Sequence, residues 1–120
     1  MLSLPASVRI MLAVESCDMR KGFDSLAAIV RDAFGDDPMS GHLFVFRSRR
    51  GDRLKVLWWD RDGFAIWQKR LEKGTFRVAL SESPRGVARV ELARRDLMMM
   101  LEGIEPKYVR KSRRFAGAFP

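Results

Sequence analysis

RLKVLWWDRDGFAIWQKRL, residues 53–71, decides the fold. Two runs rich in β-branched and aromatic side chains flank DRDG, residues 60–63, a turn sequence in which Gly63 is the residue expected to take positive φ. The two runs therefore pair as a hairpin. For an even-length loop, whether two or four residues, period two puts Leu57, Trp59, Phe64 and Ile66 on one face and Leu54, Val56, Trp58, Ala65 and Trp67 on the other. Both faces are apolar, so the pair needs cover on both sides, and one amphipathic helix covers only one. The sequence leaves three candidates for the second cover: a C-terminal helix, a partner chain, or bases stacked on Trp58, Trp59 or Trp67.

Upstream, HLFVFR (residues 42–47) has the same strand character and runs through the polar turn SRRGD (48–52) into Arg53, which makes a second hairpin. Before it stands the turn-rich segment 36–41, whose Pro38 disfavours a continuing helix. Met19, Phe23, Leu26, Val30 and Phe34 recur at spacings of four and three, predicting a helix capped by Asp18 or Ser16 and ended by a left-handed Gly35. Arg20, Lys21, Asp24, Arg31 and Asp32 would form its solvated side. Residues 8–14 read as a strand after an entry arm at Leu4 and Pro5. Downstream, residues 72–74 turn the chain, Phe76 to Leu80 and Val87 to Glu91 read as short strands, and 81–86 as a loop. The segment from Leu92 onward reads as a helix through Leu97, Met98, Leu101 and Ile104, with Gly103 near its end. Met98, Met99 and Met100 in a row cannot all face inward.

These elements make an α+β domain: a small, mostly antiparallel sheet with an N-terminal amphipathic helix on one face and a C-terminal helix. Residues 1–106 are expected to form one compact domain, which suits 120 residues of which 47% are hydrophobic and 32% charged. Residues 107–120 form a basic tail with no acid. No apolar run approaches the roughly 20 residues that cross a bilayer, so a cytoplasmic protein without membrane contact is expected.

Charge is unevenly distributed. The formal net charge is +8, yet residues 1–46 hold four Lys/Arg against six Asp/Glu, a balance of −2, and the rest hold 19 against nine, a balance of +10. One-sided basicity points to an anionic partner, of which DNA is the expected one; a solvated basic surface is the plain alternative. Arg47, Arg49, Arg50 and Arg53 crowd the first turn, and the hairpin at 60–63 brings Lys69, Arg70 and Lys73 back to them. The guanidinium groups of such a basic edge suit bidentate phosphate contacts. Arg110, Lys111, Arg113 and Arg114 of the tail would add to them.

Catalytic constellations are thin. Cys17 is the one cysteine and His42 the one histidine, so neither a disulfide nor a Cys/His zinc site can form within one chain. Asp36/Asp37 and Asp60/Asp62 are carboxylate pairs, but each lies in a turn where aspartate is favoured locally. No phosphate-loop motif occurs. The expectation is a non-enzyme with no metal and no cofactor.

The chain also carries CDMRKGFDSLAAIV (17–30), DPMSGHLFVFRSRRGDRLKVLWWDRDGFAIWQKRLEKGTF (37–76) and MLEGIE (100–105), in that order. Together they resemble the TnpB accessory protein encoded by bacterial insertion sequences of family sixty-six, where it is the second of several reading frames. The resemblance spans roughly residues 5–105 and is weaker over 76–89 and after Tyr108. It implies a small non-catalytic partner of a separate, larger transposase, and it carries over no site residues. Two functions follow as expectations. One is DNA binding through the basic edge, with a tryptophan available for stacking. The other is a protein-interaction module, possible as a homo-oligomer, that assembles the transposase or another accessory subunit through the second sheet face and Met98 to Met100.

Overall fold

The computed structural model describes residues 5–77 and 86–102. Five strands form one mixed sheet: β1 (Ile10–Ala13), β2 (Leu43–Arg47), β3 (Arg53–Asp60), β4 (Gly63–Arg70) and β5 (Arg89–Leu92). Their spatial order is β4-β3-β2-β1-β5. The pairs β4·β3, β3·β2 and β1·β5 are antiparallel, while β1 and β2 run parallel, so the expected antiparallel character gives way at the centre of the sheet. The reason is the helix inserted between them. Helix α1 (Phe23–Ile29) returns the chain to the end where β1 began, and β2 then starts in the same direction as β1.

Alternation along the hairpin holds as read. The register Arg53↔Arg70 through Asp60↔Gly63 runs without interruption around a two-residue loop. Arg61, not Gly63, takes the positive φ there, at 58°; Gly63 is already the first residue of β4. Ile10, Leu12, Leu43, Val45, Leu54 and Val56 face one side, where Leu97, Met100 and Leu101 of helix α2 (Arg94–Glu102) and Phe76 pack on them. Met11, Ala13, Phe44, Phe46 and Leu57 face the other, beneath Leu26, Ala27 and Val30 of α1. The second apolar face is thus covered by α2. Trp58 and Trp67 join that cluster as partly buried members, and Phe64 and Ile66 join the opposite one. Of the three methionines, Met100 is buried and Met98 is exposed.

The first helix is shorter than its apolar spacing predicts. It starts at Phe23 after a non-helical Gly22, without a side-chain cap, so neither Asp18 nor Ser16 caps it. Asp18 instead organises a tight turn: its Oδ1 accepts from Arg20 N at 2.9 Å and its carbonyl accepts from Lys21 N at 3.1 Å. Met19 still packs on the apolar cluster, but from this turn. At its far end α1 widens into a π-helical turn, Val30–Phe34, and stops at a left-handed Gly35 (φ 71°), as the glycine implies. Phe34 stacks on Phe46 at 5.9 Å between ring centroids.

Phe76 is buried and, like the exposed Arg77, belongs to no strand; residues 78–80 of that expectation lie outside the described residues. So do the boundary at residue 106, Ile104, and the tail with Arg110, Lys111, Arg113 and Arg114. The last strand begins at Arg89, two residues later than its composition suggests.

Candidate nucleic-acid interface

Parallel β1 and β2 end on the same side, where β3 begins and β4 ends. Three connections meet there: residues 14–22 after β1, 48–52 between β2 and β3, and 71–76 after β4. Ligands of open sheets with parallel strands gather at this carboxyl end because the loops leaving adjacent strands diverge above it.

Loop 48–52 is held on several sides. Ser48 N donates to Arg53 O at 3.0 Å, Arg53 N donates to Ser48 Oγ at 3.1 Å, and Ser48 Oγ lies 3.2 Å from Asp52 Oδ1. The segment after β4 clamps it from outside: Leu71 N donates to Asp52 O at 2.8 Å and Phe76 N to Gly51 O at 2.7 Å. Gly51 needs to be glycine, since its φ is 79° and a Cβ would stand 3.3 Å from Thr75 Cβ. Arg49 and Arg50 project from this fixed turn and are exposed.

The loop after β1 is tied to the same frame. Cys17 N donates to Arg47 O at 2.8 Å. More unexpectedly, Lys55 of β3, only 7% exposed, threads to the turn and donates from Nζ to Met19 O at 2.7 Å and to Lys21 O at 2.8 Å. A buried ammonium is tolerated when its protons are spent on strong acceptors, and two main-chain carbonyls provide them. The chain segment DMRKG is therefore moulded around a lysine that lies 34 residues or more away in sequence. Between the two loops Ser16, Cys17, Asp18, Met19, Arg49 and Arg50 line an open cleft of about 430 Å³.

The expected basic edge comes together in part. Arg53 and Arg70 are direct cross-strand partners, as are Leu54 and Lys69. By alternation Arg53 and Arg70 share the α1 face. Two like charges placed opposite each other repel unless an anion lies between or near them. Among the described residues, Arg49, Arg50, Arg53 and Lys73 have no acidic partner, and Arg70 makes a 3.7 Å contact with the exposed Glu72. Lys69 is differently engaged: Nζ donates to Leu101 O at 2.9 Å, binding the last turn of α2, where a cation also complements the helix dipole. Arg47 is half-buried, with Nε enclosed and without a hydrogen-bond partner among the described residues; burial lowers its pKa from the ordinary value.

The tryptophans lie elsewhere. Trp59 meets Phe64 edge to face at 5.0 Å beside the 61–62 turn, at the end of the hairpin remote from Arg49 and Arg50. It lies six positions along the strand from Arg53, roughly 20 Å at strand rise. Trp58 and Trp67 pack toward α2. Among the described residues, no tryptophan stands next to the arginine loop.

Arg20 and Lys21 belong to this end and not to a helix surface as their spacing implied. Arg20 reaches back to Asp18, donating from Nη2 at 2.8 Å and from Nε at 3.1 Å, and its side chain is 91% exposed. Arg20, first by its side-chain hydrogen bonds and then by its main-chain N–H, holds the Asp18 carboxyl well below the usual carboxylate range. The signal for this turn was present in the Asp followed by Gly22, and that for Lys55 in the strict alternation that puts it on a face with Leu57. His42 is remote: its Nδ1 accepts from Arg9 N at 2.9 Å before β2 begins, so it and Cys17 sit at opposite ends of that strand. Asp36 accepts two bonds from Arg89, each 3.0 Å, as a half-buried ion pair. No group of three or more His, Cys, Asp or Glu converges as a metal site among the described residues. No helix among them is long and apolar enough to cross a membrane.

No solved structure matches the fold. Two proteins of Sinorhizobium fredii (strain NBRC 101917 / NGR234) are similar in sequence. Uncharacterized protein y4hO is 37% identical over 105 residues, 88% of each chain. Uncharacterized protein y4jC is 41% identical over 76 residues, 63% of this chain and 65% of that one. The family model described as IS66 Orf2 like protein matches residues 8–111, which contain every described strand and helix, the arginine loop and the lysine-tied turn; the chain belongs to the IS66 Orf2-like family.

Proposed function

We propose that the protein is a non-catalytic accessory factor in the transposition of an IS66-type insertion sequence and that it binds DNA through the basic end of its sheet. Family membership supports the transposition context. The observation that carries the DNA reading is the loop 48–52, whose hydrogen-bonded backbone presents exposed Arg49 and Arg50 beside Arg53 and Lys73, none of them with an acidic partner among the described residues, and beside Arg70, which contacts only the exposed Glu72 among them. A loop whose backbone is already ordered by main-chain hydrogen bonds loses less freedom when its arginines meet phosphates than a solvated tail does. Arg110, Lys111, Arg113 and Arg114 would supplement this grip. Contacts of this kind read the backbone, and sequence preference then comes from DNA shape or from the transposase.

Fluorescence anisotropy of labelled insertion-sequence end DNA, titrated across a salt series, tests the proposal. Five phosphate contacts predict a log-log salt slope of about −4 to −5. Arg49→Glu with Arg50→Glu should leave the domain folded and flatten the slope by about 2 or more, since two contacts are lost and two repulsions gained. Undiminished binding by the folded double variant would overturn the assignment. The rival reading, assembly through the second sheet face and Met98 to Met100, would rest on α2 and its exposed Met98, since α2 packs on that face.

A further inference from the structure

The two edges of the sheet are built differently. Strand β5 is four residues long, and its charges are locked: Arg89 to Asp36, Glu91 to Arg9. A short, charged edge is a poor template for another strand. Strand β4 is eight residues long, without proline or bulge, and among the described residues nothing pairs with its outer side. Phe64, Ala65, Ile66 and Trp67 are all only partly buried along it.

Which backbone groups point outward can be derived. The register closes at Asp60↔Gly63 around a two-residue loop, so that pair is a hydrogen-bonded one, and Ala65, Trp67 and Lys69 follow it in turning toward β3. Leu71 N, of the same parity, donates to Asp52 O on the β3 side, in agreement. Phe64, Ile66, Gln68 and Arg70 therefore present their N–H and C=O groups outward.

We infer that β4 is a dimerisation strand, pairing antiparallel with β4 of a second copy about a two-fold axis at Ile66. Only residues with outward groups can exchange bonds, and this axis matches them: Ile66 meets Ile66 and Phe64 meets Gln68, while the Asp62 carboxylate of the turn falls opposite Arg70 of the other copy. The charge pattern is self-complementary, because β4 begins beside Asp60 and Asp62 and ends in Lys69 and Arg70. On the α2 face the small Ala65 stands opposite the large Trp67, which lets the partly exposed indole close over the seam. On the α1 face Ile66 meets itself. The product is a continuous ten-stranded sheet with two buried rims and a charged pair at each end. Its two-fold runs across the sheet, so the basic ends of the two copies point in opposite directions. On the DNA-binding reading above, on which this consequence but not the dimer rests, one dimer holds two separate DNA segments.

Sedimentation of the full-length, nuclease-treated protein across a concentration series, without DNA, tests the pairing independently of that reading. The expected species has twice the 13.8 kDa mass of one chain. Gln68→Pro deletes an outward N–H while sparing every bond to β3, so it should keep the circular dichroism and melting of the parent. It should also raise the dimer dissociation constant about 10-fold or more, because two symmetry-related bonds are lost. Asp62→Arg and Arg70→Asp should each weaken the dimer, and the double charge reversal should restore it. A parent that stays monomeric throughout, a folded Gln68→Pro protein that dimerises like the parent, or a double reversal that fails to recover would each overturn the inference.

Discussion

Replacing Lys55 with methionine tests the tie that shapes the basic end. The side chain keeps nearly the same length and apolar stem, and loses only the ammonium that donates to Met19 O and Lys21 O at 2.7 and 2.8 Å. Hydrogen bonds from a charged donor are each worth about 1.5–3 kcal/mol, so the gross loss is about 3–6 kcal/mol. Two effects offset it. Methionine does not carry the desolvation cost of a buried ammonium, which in proteins is several kcal/mol, and the carbonyls of a surface turn regain some water. The bonds should win, because both acceptors are main-chain groups that would otherwise lie partly enclosed beneath the turn, leaving a net destabilisation of about 2 kcal/mol. For a domain of this size that corresponds to a fall in melting temperature of roughly 6–10 °C. Urea unfolding gives the midpoint and the slope together, and amide exchange locates the loss. Residues 19–22 should exchange faster in the variant while the β2–β3 ladder keeps its protection relative to global stability. A midpoint within about 0.5 kcal/mol of the parent, the usual range of a surface substitution, would show that the buried ammonium is not what holds the turn.

Three further outcomes follow from single positions. Gly51→Ala should cost about 1–2 kcal/mol from its φ of 79°, and more from the 3.3 Å approach to Thr75; a melting temperature equal to the parent's would refute the strain argument. Arg61→Gly should stabilise by about 0.5–1 kcal/mol, because relief of the left-handed conformation (φ 58°) exceeds the added freedom of glycine in the unfolded chain, and calorimetry reads the sign directly. The carboxyls of Asp18 and Glu91 both sit below their ordinary range, through hydrogen bonds from Arg20 and Arg9 first. Groups with depressed folded pKa values contribute stability above their unfolded values, near pH 4, and lose it as the pH falls through the folded ones. Asp18→Asn should thus flatten the acid limb of stability against pH and leave the neutral limb unchanged in shape; both groups are exposed, so added salt should shrink the effect. An acid limb identical to the parent's would contradict this.

The sequence by itself determined the hairpins, their faces and the family, because those rest on local information. Period two in residues 54–59 and 64–67 fixes which side chains share a face whatever lies beyond them. The glycine at 35 and the apolar spacing of Leu26, Val30 and Phe34 fix where α1 ends and what it buries. The pairing of Arg53 with Arg70 followed from the hairpin alone, while Arg47 lies on the opposite face, half-buried.

What only the tertiary structure decided are the relations between segments distant along the chain. The parallel pairing of β1 with β2 depends on where α1 returns the chain, and no local pattern distinguishes a parallel from an antiparallel neighbour for a buried strand as short as Ile10–Ala13. The start of α1 moved from Asp18 to Phe23 because Lys55 binds the carbonyls of residues 19 and 21 from another strand, and a helix-period pattern cannot register a competitor for those groups. Arg20 and Lys21 consequently joined the basic end, and Lys69 turned to the last carbonyls of α2. The roles of these cations depend on which acceptors lie within hydrogen-bond reach, and that is a property of the folded chain.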